Sequence, residues 1–287
     1  MTDTKNIILI GRTGNGKSTL ANVLTNSNEF TESAGSISET RGIQIKEFEE
    51  AIDTSGKQKI KYKVIDTVGI GDTRLTAQGV LYRLAEASYH IKEGLNQILF
   101  VTNGRFTKEE INTFGLLKSV IFDKRVAEYT TIVRTNFPDF EDQNECDSDQ
   151  QKLRNENESL FNILGVCKII YIDNPPLKGR SAAINRDIRE ESRKRLLIYL
   201  ATCQGIYKPE NLDAMNDRIG GYMTENEKVL QELENLKKVS EEEKKLSEEE
   251  KRKLTEHIKS LEAQSMNLQK QIAARAEERT GFLCTIL

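Results

Sequence analysis

The sequence predicts an α/β fold in which helices cover both faces of a mostly parallel β-sheet, with a long C-terminal helix after it. Three observations predict this fold. A glycine-rich segment near the start of the chain joins a buried-strand pattern to a helical pattern. Short apolar runs then alternate with helical patterns to about residue 205, as expected when each parallel strand pair is connected by a helix. From about residue 222, Glu, Lys and Ser dominate the composition.

The glycine-rich segment is residues 11–18, GRTGNGKS, which fits the pattern G-x-x-x-x-G-K-[ST]. Before it, Asn6–Ile10 has the apolar composition of a short buried strand, and after it Ser18–Leu24 has helical spacing. Glycines in such a loop let backbone N–H groups surround an anion, and a helix N-terminus favours negative charge. The order strand, loop, helix therefore predicts a phosphate-binding loop rather than a simple glycine turn.

Within this loop the pattern assigns different roles to its residues. Lys17 is expected to reach the β- and γ-phosphates, and the Ser18 hydroxyl is expected to bind Mg²⁺. The predicted nucleotide-contacting residues are Gly11, Arg12, Thr13, Gly14, Asn15, Gly16, Lys17, Ser18 and Thr19.

The rest of the sheet is predicted from the period of the apolar residues. Two alternating runs that flank Ser55-Gly56 indicate a β-hairpin, continuous apolar runs indicate buried strands, and a 3–4 spacing indicates helices. The predicted elements are, in order, a polar loop over 26–41, hairpin strands around 43–46 and 60–66, a helix around 80–85, a strand over 98–101, a helix over 111–122, a strand over 130–133, a polar helix, a strand over 169–172 and a helix over 184–200.

A second motif, Asp66-Thr67-Val68-Gly69, follows the hairpin about 50 residues after the phosphate loop. P-loop nucleotidases need a carboxylate here for Mg²⁺ and a glycine N–H for the γ-phosphate, so Asp66 and Gly69 are assigned these roles. The polar loop should add a hydroxyl that senses Mg²⁺ and the γ-phosphate, and Ser38 and Thr40 are the candidates. The alternative is that Ser38 and Thr40 are ordinary surface residues, present only because this loop is rich in Ser and Thr. The predicted metal ligands are Ser18, Asp66 and Thr40.

At three segments the chain resembles the AIG-type, immunity-associated GTPases, which are relatives of septins and dynamins. The segments are residues 11–18, residues 66–73 (DTVGIGDT) and residues 104–110 (GRFTKEE), and the resemblance spans about residues 5–205. It implies a P-loop GTPase domain (G domain) that binds GTP or GDP with Mg²⁺ and forms a homodimer or oligomer through that domain. A P-loop kinase or ATPase fits less well, because a hairpin followed by D-x-x-G is the GTPase arrangement.

The chain departs from Ras-like proteins at Ile70, where those proteins place a glutamine that orients water. An apolar side chain cannot orient water, so slow intrinsic turnover is predicted.

The base-reading motif [NT]-K-x-D is irregular. If Thr135 takes its first position, Pro138 occupies the Asp position; if Asn136 does, Asp139 is restored but Phe137 replaces Lys. Asn174, in a turn that resembles the family's last base contact, is either a base ligand or a strand-ending residue before two prolines.

In relatives, the box over residues 104–110 lies at a nucleotide-facing dimer interface. The resemblance therefore suggests Arg105 as an arginine finger supplied to the partner's site, with Arg12 as a second candidate. The assigned catalytic residues are Arg105 and Lys17. The alternative for Arg105 is a local ion pair with Glu109 or Glu110.

The sequence divides into a G domain over 1–205, a linker over 206–222, a charged helical or weakly coiled-coil extension over 223–280, and a tail over 281–287. The extension either projects as a solvated helix, folds back on the G domain, or is disordered. The last four residues, Cys284-Thr285-Ile286-Leu287, fit the C-a-a-X pattern for geranylgeranylation, which would attach the chain to a membrane. An ordinary apolar terminus is the alternative.

Composition excludes several other classes of protein. The net charge of −3 provides no basic field for nucleic acid, and four scattered cysteines with two histidines indicate neither a disulfide framework nor a zinc site. No apolar run approaches the roughly 18 residues of a membrane span. We expect a cytoplasmic protein, peripheral on an intracellular membrane if Cys284 is prenylated. Two functions remain open: a slow GTPase whose nucleotide state controls self-assembly, and a non-hydrolysing scaffold that acts through its C-terminal helix.

Overall fold

The computed structural model describes residues 4–30, 43–51, 59–67, 69, 87, 90–91, 94–118, 122, 124–156, 158–208, 221 and 248–283. The chain forms two compact units, one from residues 1–114 and 125–209 and the other from residues 115–124 and 210–287. The first unit contains the β-sheet and every described residue of the candidate site.

The described strands and helices follow the predicted order. They are β1 (Thr4–Gly11), α1 (Lys17–Thr25), β2 (Gln44–Ala51), β3 (Lys59–Asp66), β4 (Gln97–Asn103), α2 (Lys108–Leu116), β5 (Thr130–Thr135), α3 (Gln143–Glu156), α4 (Glu158–Val166), β6 (Lys168–Tyr171), α5 (Ala182–Thr202) and α6 (Glu248–Leu283). Two short 3₁₀ helices cover Lys124–Tyr129 and Gly179–Ser181.

Six strands form one sheet in the order β2-β3-β1-β4-β5-β6. Strand β2 is antiparallel to β3, and every other neighbouring pair is parallel. The mostly parallel α/β fold is therefore confirmed. Because the five parallel strands share one direction, the carboxyl ends of β1, β3, β4 and β5 meet at one edge of the sheet, where ligands of such folds usually bind.

Helices cover both faces of this sheet, as predicted. Leu9 and Val101 share an apolar cluster with residues of α1 and α5 on one face. Phe100, the neighbour of Val101, points to the other face, where its ring contacts Phe106 and the α2 residue Phe114 at centroid distances of 6.5 and 5.9 Å. Strands buried on both faces explain the continuous apolar runs in the sequence.

Two predicted helices differ from the structure. In the segment predicted as a helix over 111–122, the α-helix ends at Leu116 and a π-helical turn follows at residues 117–118, where the Phe122 N–H donates to the carbonyl of Leu117, five residues back, at 2.9 Å. Gly115 weakens the helix near this end, because glycine loses more backbone entropy than other residues. The single polar helix predicted between β5 and β6 is two helices: α3 is polar and buries only Cys146 and Leu153, whereas α4 is apolar.

The second unit contains α6, whose 36 residues would extend about 54 Å. The long C-terminal helix is thus confirmed over this range, while the coiled coil and the domain boundaries remain predictions. Among the described helices, none has both the length and the apolar composition required to cross a bilayer. The helix predicted around 80–85, most of the polar loop and the C-a-a-X tail lie outside the described residues.

Candidate functional site

The phosphate loop connects β1 to α1 at the carboxyl edge of the sheet. Gly14 and Gly16 adopt left-handed φ angles of 87° and 85°, which residues with a side chain rarely adopt. A Cβ on Gly11 would lie 2.1 Å from the carbonyl oxygen of Val101, so the close approach of β4 requires glycine there. The local structure therefore requires glycine at three positions of the motif. The predicted order strand, loop, helix is confirmed.

Lys17 begins α1, and only 6% of its surface is exposed. Its Nζ donates to the carbonyl oxygens of Gly11 and Arg12 at 2.9 and 3.0 Å. The ammonium group is therefore held across the loop by the loop's own backbone. A cation in this place, at the N-terminal end of a helix, favours a bound anion.

Asp66, the last residue of β3, is fully buried and lies next to Ser18 of α1. The Ser18 hydroxyl donates to Asp66 Oδ2 at 2.7 Å, whereas Oδ1 has no hydrogen-bond partner. Burial raises the pKa of Asp66, and the charge of Lys17, the Ser18 hydroxyl and the Thr67 backbone oppose that shift. An open carboxylate oxygen beside a hydroxyl suits a hard divalent cation, so these residues fit Mg²⁺.

Gly69 of the D-x-x-G motif lies against the phosphate loop. A Cβ there would be 2.2 Å from Thr13 Oγ1 and 2.6 Å from the Thr13 nitrogen, so only glycine fits. The Thr67 hydroxyl donates to the carbonyl of Leu9 at 2.7 Å and holds the chain after β3 against β1. The two glycine motifs, far apart in sequence, therefore share one site.

Thr135, at the end of β5, supports the phosphate loop from the other side. Its hydroxyl lies 2.8 Å from the carbonyl oxygen of Asn15 and 3.2 Å from that of Thr102. Asn136 is exposed with a left-handed φ of 53°. The sequence leaves two registers open for the base-reading motif. Because Thr135 is the residue that contacts the phosphate loop and Asn136 is exposed, the structure favours the register in which Thr135 takes the first position.

In that register Asn136 replaces the usual lysine and Pro138 the usual aspartate. The Phe137 ring packs against Tyr171 with centroids 4.7 Å apart, and Asp139 is exposed. A carboxylate from the usual position of the motif is therefore missing.

Asn174 lies just beyond β6 and is 93% buried, with 7% exposed. Neither its amide oxygen nor its amide nitrogen has a hydrogen-bond partner. The chain on either side is well held, since the Ser192 hydroxyl accepts from the Asp173 N–H at 3.0 Å and donates to the Asp173 carbonyl at 2.6 Å. Buried amides are almost always paired, so this open amide fits a ligand contact, and the base contact of Asn174 stays a prediction.

The loop that carries Asn174 runs beside the loop that follows β5. The Ile172 N–H donates to the Arg134 carbonyl at 3.0 Å, and the Phe137 N–H donates to the Ile172 carbonyl at 3.2 Å. Asn174 and the irregular motif therefore occupy neighbouring loops at the same edge of the sheet.

Arg105 is exposed between β4 and α2, and among the described residues it forms no ion pair. The alternative of a pair with Glu110 is not observed. Glu110 is instead 1% exposed and accepts from the Asn15 side chain at 2.7 Å. Sequence reasoning gave Glu110 no part in the site, although Thr107 and Glu110 have the T-x-x-E spacing of a helix capping box.

The remaining candidates are placed as follows. Arg12 is exposed on the loop, and Thr19 is half-buried in the first turn of α1. Ser38, Thr40, Ile70 and Cys284 lie outside the described residues, so their predicted roles stay predictions.

The chain is similar to known proteins of one family. The profile of the AIG1 family matches residues 5–190. Immune-associated nucleotide-binding protein 10 of Arabidopsis thaliana is 28% identical over 193 residues, which cover 66% of this chain and 38% of that protein. Immune-associated nucleotide-binding protein 7 of the same plant is 31% identical over 133 residues, 46% of this chain and 40% of that protein. The chain thus spans about two fifths of the length of these relatives.

Among solved structures, Toc33 from Arabidopsis thaliana in complex with GDP and Mg²⁺ covers 72% of this chain and 88% of its own, with 16% identity and a TM-score of 0.47. Likeness of this degree says nothing about activity. The family profile, by contrast, spans all six strands except Thr4 and all the loops described above, which confirms the resemblance drawn from the three motifs. The chain belongs to the AIG1 family.

Proposed function

We propose that this chain binds a guanine nucleoside triphosphate with Mg²⁺ and hydrolyses it slowly to the diphosphate and phosphate. The observation that carries the proposal is the fully buried carboxylate of Asp66, with one oxygen on the Ser18 hydroxyl and the other unpartnered, next to the loop spanned by Lys17. Membership of the AIG1 family and the nucleotide-binding names of its relatives support it.

The roles of the residues follow from their chemistry. Backbone N–H groups around Gly14 and Gly16 would bind the phosphates, and Lys17 would neutralise their charge. Ser18 and Asp66 would hold Mg²⁺, with Ser38 or Thr40 as a further hydroxyl. Gly69 would bring its N–H to the γ-phosphate. The metal supplies charge neutralisation when bound, and the chain supplies orientation for in-line attack by water.

Slow turnover is proposed because Ile70 cannot orient the attacking water. We further propose that the nucleotide state controls self-assembly through the G domain, in the cytoplasm or at a membrane surface if Cys284 is prenylated. A scaffold that binds nucleotide without cleaving it, and acts through the 36-residue helix α6, is the second candidate. Ile70 and that helix are the observations that favour it.

The proposed function is tested by calorimetric titration of the full chain with GTP and GDP, with and without Mg²⁺, together with light scattering and phosphate release. We expect saturable binding that tightens with Mg²⁺, and slow phosphate release. No affinity for either nucleotide would overturn the proposal. Binding without any phosphate release at high protein concentration would favour the scaffold.

We expect the base to be selected only weakly. In GTPases the carboxylate of the fourth motif accepts from guanine N1–H and the N2 amine, and Pro138 cannot do so. ITP, which lacks the N2 amine, should therefore bind within about threefold of GTP. Replacing Asn174 with Ala should weaken the affinity for ITP and for GTP by about tenfold each, which is the effect expected from losing one hydrogen bond at a buried contact.

This selectivity is measured by the concentrations of ITP and of GTP that displace labelled GDP from the protein. Asn162→Ala, on the exposed face of α4, serves as the matched control and should change neither affinity. A preference for GTP over ITP of more than about 30-fold would show that some group reads the N2 amine after all.

A further inference from the structure

Asn15, between the two left-handed glycines of the phosphate loop, is fixed by four hydrogen bonds. Its backbone N–H donates to the Arg12 carbonyl at 3.2 Å, and its own carbonyl accepts from Thr135. Its side-chain nitrogen donates to the Val101 carbonyl at 3.0 Å and to Glu110 Oε1 at 2.7 Å. Both N–H groups of a largely buried amide are therefore used.

Glu110 makes this contact from the first turn of α2. Its other oxygen, Oε2, accepts from the Thr107 N–H at 2.8 Å, and its own N–H donates to the Thr107 hydroxyl at 3.2 Å. These reciprocal bonds form a capping box, in which the glutamate normally serves only the helix end. Here its second oxygen reaches out of the box to the phosphate loop.

The segment between Gly104 and Glu110 is also held at its beginning. Arg134 donates to the Gly104 carbonyl, and its guanidinium forms two hydrogen bonds with Asp149 at 3.0 and 3.1 Å. A bidentate pair of this kind has a defined geometry. Glu110 therefore presents its carboxylate to Asn15 from a segment anchored at both ends.

The Glu110 carboxylate lies next to a loop that is expected to bind phosphate. A negative charge near a phosphate site repels the ligand, so Glu110 would weaken anion binding if its charge acted alone. It is nevertheless 1% exposed and hydrogen-bonded through both oxygens to groups of the site and its flank. What Glu110 contributes to the site is therefore geometric: it orients the side-chain amide of Asn15.

We propose that Glu110 is a positioning residue of the phosphate loop, which it acts on through the side chain of Asn15. Its Oε1 holds the Asn15 amide and thereby keeps the backbone between Gly14 and Gly16 in the conformation that binds phosphate. This inference rests on the proposed nucleotide binding. Without Glu110, one N–H of a buried amide loses its partner and the loop gains conformations that do not bind.

A double-mutant cycle on GDP affinity in the presence of Mg²⁺ tests the proposal. Glu110→Ala and Asn15→Ala should each raise the Kd by about 10- to 100-fold, the range for a hydrogen bond to a charged group. The double variant should be no weaker than the weaker single variant, because both changes remove the same contact. Glu110→Gln, which keeps one acceptor and the side-chain size, should lie between wild type and Glu110→Ala.

Two controls separate positioning from folding. Thr107→Ala removes the other half of the capping box without touching Asn15, so it should lower thermal stability but leave the Kd within about twofold. Asn112→Gln changes an exposed side chain on the same helix and should change neither quantity. The inference would be overturned if the effects of Glu110→Ala and Asn15→Ala on the Kd multiply in the double variant. It would also be overturned if Thr107→Ala raises the Kd as much as Glu110→Ala does. A wild-type chain that binds no nucleotide would instead refute the proposed function.

Discussion

The Asp66→Asn variant is expected to lose the Mg²⁺-dependent part of its nucleotide affinity while it becomes more stable without ligand. Removing this carboxylate should weaken nucleotide binding in Mg²⁺ by at least about tenfold, because groups that support a metal site are worth about 10- to 100-fold. The gain in stability follows from the raised pKa of Asp66, since burial without a full set of partners disfavours the charged form.

The same raised pKa gives the pH dependence a definite sign. The folded chain keeps the Asp66 proton to a higher pH than the unfolded chain, whose carboxyl titrates near its ordinary value of 3.8. The free energy of unfolding without ligand should therefore fall as the pH rises from 3.8 through the raised pKa. Mg²⁺-dependent affinity should change in the opposite direction, because protons compete with the metal below that pKa.

Chemical denaturation between pH 4 and 8, beside nucleotide titrations with and without Mg²⁺, would measure both effects. Asp187→Asn, at an exposed position of α5, is the matched control and should behave as wild type. The assignment of Asp66 fails if its variant keeps the full response to Mg²⁺.

The Arg105→Ala variant is expected to abolish a concentration-dependent rise in GTP turnover. Arg105 is exposed near the carboxyl edge of the sheet that holds the phosphate loop, and among the described residues it forms no ion pair, so its guanidinium is available to a second copy. An arginine supplied in trans contributes about 10³–10⁵ to the rate of such reactions. Turnover at high protein concentration should therefore fall by about 10³-fold or more, with GDP affinity unchanged.

Phosphate release per molecule, measured across a range of protein concentrations, tests this expectation. Arg180→Ala, at another exposed arginine of the G domain, controls for loss of surface charge and should keep the rise. Wild-type turnover per molecule that does not change with concentration would rule out an arginine in trans.

Contiguous patterns predicted much of the molecule correctly. All six strands and the phosphate loop were predicted because each signal lies within a few neighbouring residues: an apolar run, an alternation, or glycines at fixed spacing. The pairing of Ser18 with Asp66 was predicted because both belong to recognised motifs, and the structure brings them within 2.7 Å. The end of α2 was not predicted, since the apolar spacing continues unchanged beyond Leu116 while the backbone changes there from an α-helix to a π-helical turn.

Only the tertiary structure decided the contacts between distant segments. Asn15 contacts Glu110 and Thr135, which lie 95 and 120 residues away, because β1, β4 and β5 are neighbours whose carboxyl ends share one edge. Period and composition predict each strand but not which strands pair. The choice of register after β5, the burial of Asn174 with both amide atoms open, and the reach of Glu110 to the phosphate loop all depend on that pairing, so the sequence by itself could not determine them.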